Sequence, residues 1–174
     1  MAGFKSGVID DLSRPFPEAA NGARWELITD GVMGGVSRGR LRRETVDGRP
    51  ALRMIGDVSL ANNGGFVQMA LDLAPPGTLL DASDWAGLAL VVRGNGETYG
   101  VHLRTDAVTR PWQSWRQGFL APPDWAELRL PLAGFTPHRI DVPLDPARLR
   151  RLGLVAIGRD FAADLAVAGV RLYR

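Results

Sequence analysis

Apolar and polar positions alternate along much of this chain with a period of two, the period of a strand rather than a helix. The clearest run is Phe66 to Leu73. Val67, Met69, Leu71 and Leu73 fall on one side, and Phe66, Gln68, Ala70 and Asp72 on the other. That pattern predicts a strand buried on one face. Glu127 to Leu132 repeats it, with Leu128, Leu130 and Leu132 facing inward. Tyr99 to Thr105 and Ser114 to Leu120 read as a further pair of strands. Trp25 to Thr29, Leu152 to Ile157 and Ala166 to Tyr173 read as three more. Gly87 to Arg93 (GLALVVR) is nearly continuous apolar, as expected of a strand covered on both faces. Gly39 to Val46 alternates imperfectly, Asp47-Gly48 supplies a hairpin turn, and Ala51 to Ile55 returns.

Glycine and proline, 21 and 12 residues, punctuate these runs at intervals typical of an all-β sandwich or barrel. One short helical signal interrupts them. Asp145 is placed as an N-cap and Pro146 as the first helical residue. Arg148, Arg150 and Arg151 suit the negative C-terminal end, and Gly153 reads as the stop. Strands do not alternate with long helices, which argues against a parallel α/β sheet. The 174 residues suffice for one domain spanning 1–174, with 1–20 as an N-terminal extension or first edge strand.

Composition narrows the functions. The chain has no cysteine, so disulfides and thiolate metal sites are excluded. No apolar stretch approaches the roughly 20 residues of a membrane-spanning helix. The first twenty residues carry Asp10, Asp11 and Glu18 and no apolar run, unlike a secretory or transit segment, so a cytoplasmic protein is expected. The net charge is only +2, and Lys5 is the single lysine among 21 basic residues. Near-exclusive use of arginine reads as GC-rich bacterial coding. The arginines are spread rather than clustered, so no nucleic-acid partner is expected. Arg38, Arg40 and Arg42 would share the solvated face of one strand.

The densest motif is TDGVMGGVSRGRL, Thr29 to Leu41, with Gly31, Gly34, Gly35 and Gly39. It lacks the lysine of a phosphate-binding loop, and no helix pattern follows it. Its glycines are read as turns and close backbone approaches, with Val32, Met33 and Val36 dipping into the core between them. Asn62-Asn63-Gly64-Gly65-Phe66 is a second cluster of the same kind.

DGVMGGVS (Asp30 to Ser37) followed by NNGGF (Asn62 to Phe66) resembles the complex I intermediate-associated protein 30 family. Trp125, LRLPLAGFTP (Leu128 to Pro137) and LDPARLRRLGL (Leu144 to Leu154) are similar to it as well. The resemblance runs from about Trp25 to Arg174. It implies a jelly-roll β-sandwich of the galactose-binding-like type, akin to some carbohydrate-binding modules. It also implies a role like that of the family's eukaryotic members, which are chaperones for respiratory complex I assembly. It carries over no catalytic residue. The positions that match the motifs, Asp30, Gly31, Met33, Gly34, Gly35, Ser37, Asn62, Asn63, Gly64, Gly65 and Phe66, are read as architecture.

Candidate chemistry is sparse. His102 and His138 stand far apart without metal-ligand spacing, and no serine sits in a nucleophile elbow. Asp10 and Asp11 are the carboxylates nearest to a structural-calcium reading. No enzyme activity, metal or cofactor is expected. His102 shares a strand face with Arg104 and is read as part of a polar outer face, and His138 as a loop residue. The group most suited to binding is Trp112, Gln113, Trp115, Arg116 and Gln117, with His102 and Arg104 beside it. Tryptophan with arginine and glutamine suits both sugar stacking and protein hot spots. Depending on register, the Ser114 strand presents Trp115, Gln117 and Phe119, or Ser114, Arg116 and Gly118. The expected partner is a protein, such as subunits of a respiratory complex, or a glycan-like ligand.

Overall fold

A computed structural model describes residues 6–174. Its elements in chain order are β1 (Val8–Asp10), β2 (Glu26–Thr29), β3 (Arg38–Val46), β4 (Arg49–Val58), β5 (Phe66–Asp72), β6 (Gly87–Arg93), β7 (Thr98–Thr105), β8 (Ser114–Leu120), β9 (Ala126–Pro131), β10 (Thr136–His138), β11 (Leu149–Ile157) and β12 (Phe161–Tyr173). Single 3-10 turns cover Asp30–Met33, Ala61–Asn63, Leu132–Gly134 and Pro146–Arg148.

The strands form two antiparallel sheets that pack face to face as a jelly-roll β-sandwich. The first runs β3-β4-β12-β6-β9, with β1 also on β12, and the second runs β10-β8-β7-β11-β5-β2. The long β12 unites the first sheet. Its first half pairs with β4 and its second with β1, while β6 lies along its other side across an irregularity between Val167 and Gly169. Side chains from both inner faces make one core, in which Met54, Leu90, Leu165, Met69, Leu103 and Trp115 are fully buried. Alternation sets which residues enter it. Tyr99, Val101, Leu103 and Thr105 of β7 are buried, while Gly100, His102 and Arg104 between them are only partly so.

β6 is covered on both faces, as its apolar run requires. On its outer face Arg171 of β12 reaches Glu127 of β9 at 2.8 Å, across the strand between them. The arginines of β3 line an exposed face of an edge strand, where charge discourages pairing with another chain. β1 and β10 are three-residue strands that alternation could not reveal, and β10 places His138 in a strand rather than a loop.

The helical expectation after Leu144 holds only at its start. Asp145 accepts from the Ala147 amide and Pro146 opens a 3-10 turn, but the turn ends at Arg148. Leu149 to Leu152 are strand, and Gly153 lies within β11 instead of stopping a helix. Pairing with β5 and β7 on either side outweighs the local preference.

Candidate functional site

The two glycine motifs close around one buried carboxylate. Asp30 is 0% exposed. Its side chain accepts from the Ser37 hydroxyl at 2.5 Å, the Ser37 amide at 2.9 Å, the Gly65 amide at 2.5 Å and the Phe66 amide at 3.3 Å. Burial by itself would raise this carboxyl's pKa, but those bonds outweigh it and hold the group below its usual range. The glycines are fitted to this carboxylate. A Cβ at Gly35 would stand 2.4 Å from the Asp30 carboxyl carbon, and one at Gly64 2.4 Å from its Oδ2. The Ser37 hydroxyl also accepts from the Ser59 amide at 2.9 Å, so the two loops are tied a second time.

The clamp turns apolar side chains outward. Val32 is 76% exposed, Met33 62%, Val36 47% and Leu60 45%. The expectation that Val32, Met33 and Val36 dip into the core is therefore corrected. The 3-10 turn buries Asp30 instead, and Gly34 ends it in the left-handed region at φ 83°. Asn62 and Asn63 both sit at φ 58°, where asparagine is tolerated better than most residues. Val36 and Leu60 adjoin the hydrogen-bonded Ser37 and Ser59 in sequence, so both loops carry exposed apolar side chains next to the clamp.

A second surface lies on the outer face of the second sheet. Register pairs His102 with Arg116, Arg116 with Thr136, and Ser114 with His138. Gly100 faces Gly118 one step further along. Of the two sets open to the Ser114 strand, Ser114, Arg116 and Gly118 share the outer face with His102 and Arg104. Burial, then nearby Arg116, His138 and Arg104, push the His102 pKa down to about 3, so the imidazole is neutral near pH 7. Burial, then Arg116 and Arg139, lowers that of His138. Burial lowers Arg104 and Arg116 as well, with neighbouring arginines adding to it.

The structure separates the rest of the expected binding group. Trp115 is corrected from a candidate contact to a core residue. It is 0% exposed, with its indole donating to the Val142 carbonyl at 2.9 Å. Gln117 also points inward, at the edge of the sandwich, and donates to the Pro131 carbonyl of the opposite sheet at 2.9 Å. Gln113 staples its loop, accepting from the Thr109 and Arg110 amides and donating to the Arg139 carbonyl. Trp112 is 55% exposed, in the loop between β7 and β8 rather than on the strand face. Arg104 donates to the carbonyl of the adjoining Pro111. Asp10, considered for calcium, already accepts from the Leu12 and Ala20 amides and the Trp25 indole.

Two antiparallel sheets packed face to face define a β-sandwich, the fold of carbohydrate-binding modules as well. By sequence, residues 15–167 match the family described as complex I intermediate-associated protein 30, and the chain belongs to that family. No curated protein matches it. Among solved structures it is similar to the family 11 carbohydrate-binding module of a cellulosomal cellulase of Clostridium thermocellum, at TM-score 0.70 and 11% identity. That match covers 95% of this chain and 92% of the module. The Clostridium thermocellum family 11 module in complex with a beta-1,3-1,4-mixed-linked tetrasaccharide matches at TM-score 0.69 and 12% identity, over 96% and 94%. A family 30 module of another Clostridium thermocellum cellulosomal cellulase matches at TM-score 0.57 and 17% identity, over 76% and 80%. At these identities the likeness is one of fold.

Proposed function

We propose that this protein is a non-catalytic accessory domain that holds a client protein through the apolar tip at Val32, Met33, Val36 and Leu60. The observation that carries this reading is that large apolar side chains are displayed by loops locked to one buried carboxylate. An exposed apolar cluster costs solubility, and such clusters mark interaction sites. Presentation on a rigid frame reduces the ordering cost of binding. Membership of the family agrees with such a role, and respiratory-complex subunits are the client to test first.

The test is a pull-down from the native host with tagged wild type and a Val32→Asp/Met33→Asp variant, with bound proteins identified by mass spectrometry. Respiratory-complex subunits captured by the wild type and lost from the variant, at unchanged thermal stability, are the expected result. Equal capture by both proteins would move the contact away from the tip.

A second reading, a small-ligand module of the carbohydrate-binding kind, is favoured by one observation. The outer face of the second sheet is open at the exposed Gly118, beside the His102 ring, which leaves room for a ligand to approach the sheet.

A further inference from the structure

β7 and β8 carry two glycines that the fold does not require. Gly100 and Gly118 pair across the strands on the outer face, and neither has a left-handed φ. A Cβ at Gly118 would meet only Tyr99 O at 3.7 Å and Thr98 Cγ2 at 3.9 Å. One at Gly100 would touch the His102 ring at 3.4 Å. These are ordinary contacts, whereas a Cβ at Gly56 or Gly87 would stand 2.2 or 2.4 Å from a main-chain oxygen. The His102 ring borders Gly100, while the exposed Gly118 stays open; glycine inside a strand forfeits packing, so the space kept open above Gly118 calls for an occupant.

Arginine without carboxylate stands beside that space. Among the described residues, Arg104 and Arg116 lie in no ion pair, although both are half-buried and Arg104 adds to the burial that disfavours the charge of Arg116. Arg151, on the strand next to Arg104, shows the contrast, because Asp72 and Glu26 neutralise it at 2.7 and 3.1 Å. The known partners of the two free guanidinium groups are neutral. Arg104 donates to the Pro111 carbonyl, and Arg116 donates to the Ser114 hydroxyl at 2.9 Å. Each guanidinium keeps N–H groups beyond these contacts, and guanidinium N–H groups suit an oxyanion.

The geometry points to a binding site for an oxyanion-bearing saccharide, a uronate or a sugar phosphate, with its anionic group on Arg104 and Arg116 and its ring body over Gly118 beside His102. This rests on the small-ligand reading of the same face. A peptide would be gripped by its main chain along an open strand edge. β7 lies between β8 and β11, so its main-chain groups are spent in the sheet. The face offers side-chain groups instead: guanidinium, the neutral His102 imidazole, and Gln68, which reaches over Gly153. Such groups read hydroxyls. Trp112, exposed next to the carbonyl that Arg104 holds, supplies an aromatic ring at the rim.

Calorimetric titration of the full chain tests this with four probes: trigalacturonate, glucose 6-phosphate, neutral cellotriose and a hexaglutamate peptide. Saturable binding of trigalacturonate or glucose 6-phosphate is expected, and which of the two binds tells the carboxylate source from the phosphate source. Affinity should fall about tenfold in Arg116→Gln, the order expected for loss of one charge-assisted contact. Gly118→Thr, which fills the bare stretch, should weaken binding while the protein stays folded. Cellotriose binding as tightly as the charged sugars would overturn the anionic assignment but leave the small-ligand reading standing. No binding by any sugar would overturn both. Tighter binding of hexaglutamate than of either charged sugar would overturn the saccharide class.

Discussion

Asp30 accepts four hydrogen bonds and ties two loops together from inside the protein. A buried carboxylate is costly unless its lone pairs are matched by donors, and here Ser37, Gly65 and Phe66 match them. Ser37→Ala removes one charge-assisted bond and leaves the Ser59 amide without its acceptor. The expected loss is about 2 kcal/mol in a denaturant titration. Asp30→Asn should cost more, about 3 kcal/mol, because an amide turns a donor toward backbone N–H groups. A change of under half a kilocalorie in both, on the order of an ordinary surface substitution, would mean the network is not what closes the two loops. His102 makes a different residue-scale prediction. Its folded pKa, about 3, lies below the ordinary 6.5, so between those values the unfolded chain binds a proton that the folded chain does not. Stability then falls as pH drops below 6.5, by up to about 1 kcal/mol per unit. Asp30 acts in the same sense, but only as pH falls below its ordinary 3.8 toward its lower folded value. His102→Gln should therefore flatten the urea midpoint between pH 6.5 and about 4.5. His138 is shifted the same way, so an unchanged slope in His102→Gln would assign the effect there.

At the scale of elements, the two kinds of glycine predict opposite responses. Gly64→Ala drives a Cβ to 2.4 Å from the Asp30 carboxylate and should destabilise by about 2 kcal/mol, as overpacking does. Gly118→Thr puts a residue favoured in strands into open space, and its thermal unfolding midpoint should hold or rise, by the equivalent of about 0.5–1 kcal/mol. A large loss in Gly118→Thr would mean that the glycine serves the fold and not a ligand. Most strands were legible in the sequence because one face of each is wet and the other dry. β5 and β9 lie almost where alternation puts them. The three-residue β10 was not legible, since its pairing comes from β8. Nor was the start of β11, where a helical start signal is overruled by neighbours on both sides.

On the whole-molecule scale, the sandwich separates its two candidate surfaces. The apolar tip hangs from β2 and β5, at one end of the second sheet, and the cationic face is on β7, β8 and β10 at the other. No helix among the described residues is long and apolar enough to cross a membrane.

The sequence by itself determined the β-class, most strand positions, the family and the presence of two glycine motifs, because each follows from local spacing or a contiguous motif. It also placed His102 and Arg104 on one strand face, since a period of two leaves no choice. Only the tertiary structure decided the rest. Whether Trp115 or Arg116 faces outward depends on which side of β8 meets the opposite sheet. Trp115 is the larger apolar surface and takes the core. Whether Val32, Met33 and Val36 are inside or outside depends on Asp30, two of whose donors, the Gly65 and Phe66 amides, come from a loop more than thirty residues away in sequence. Contacts of that range leave no local period, so no pattern near Val32 could have announced that the carboxylate goes in and the hydrophobic side chains come out.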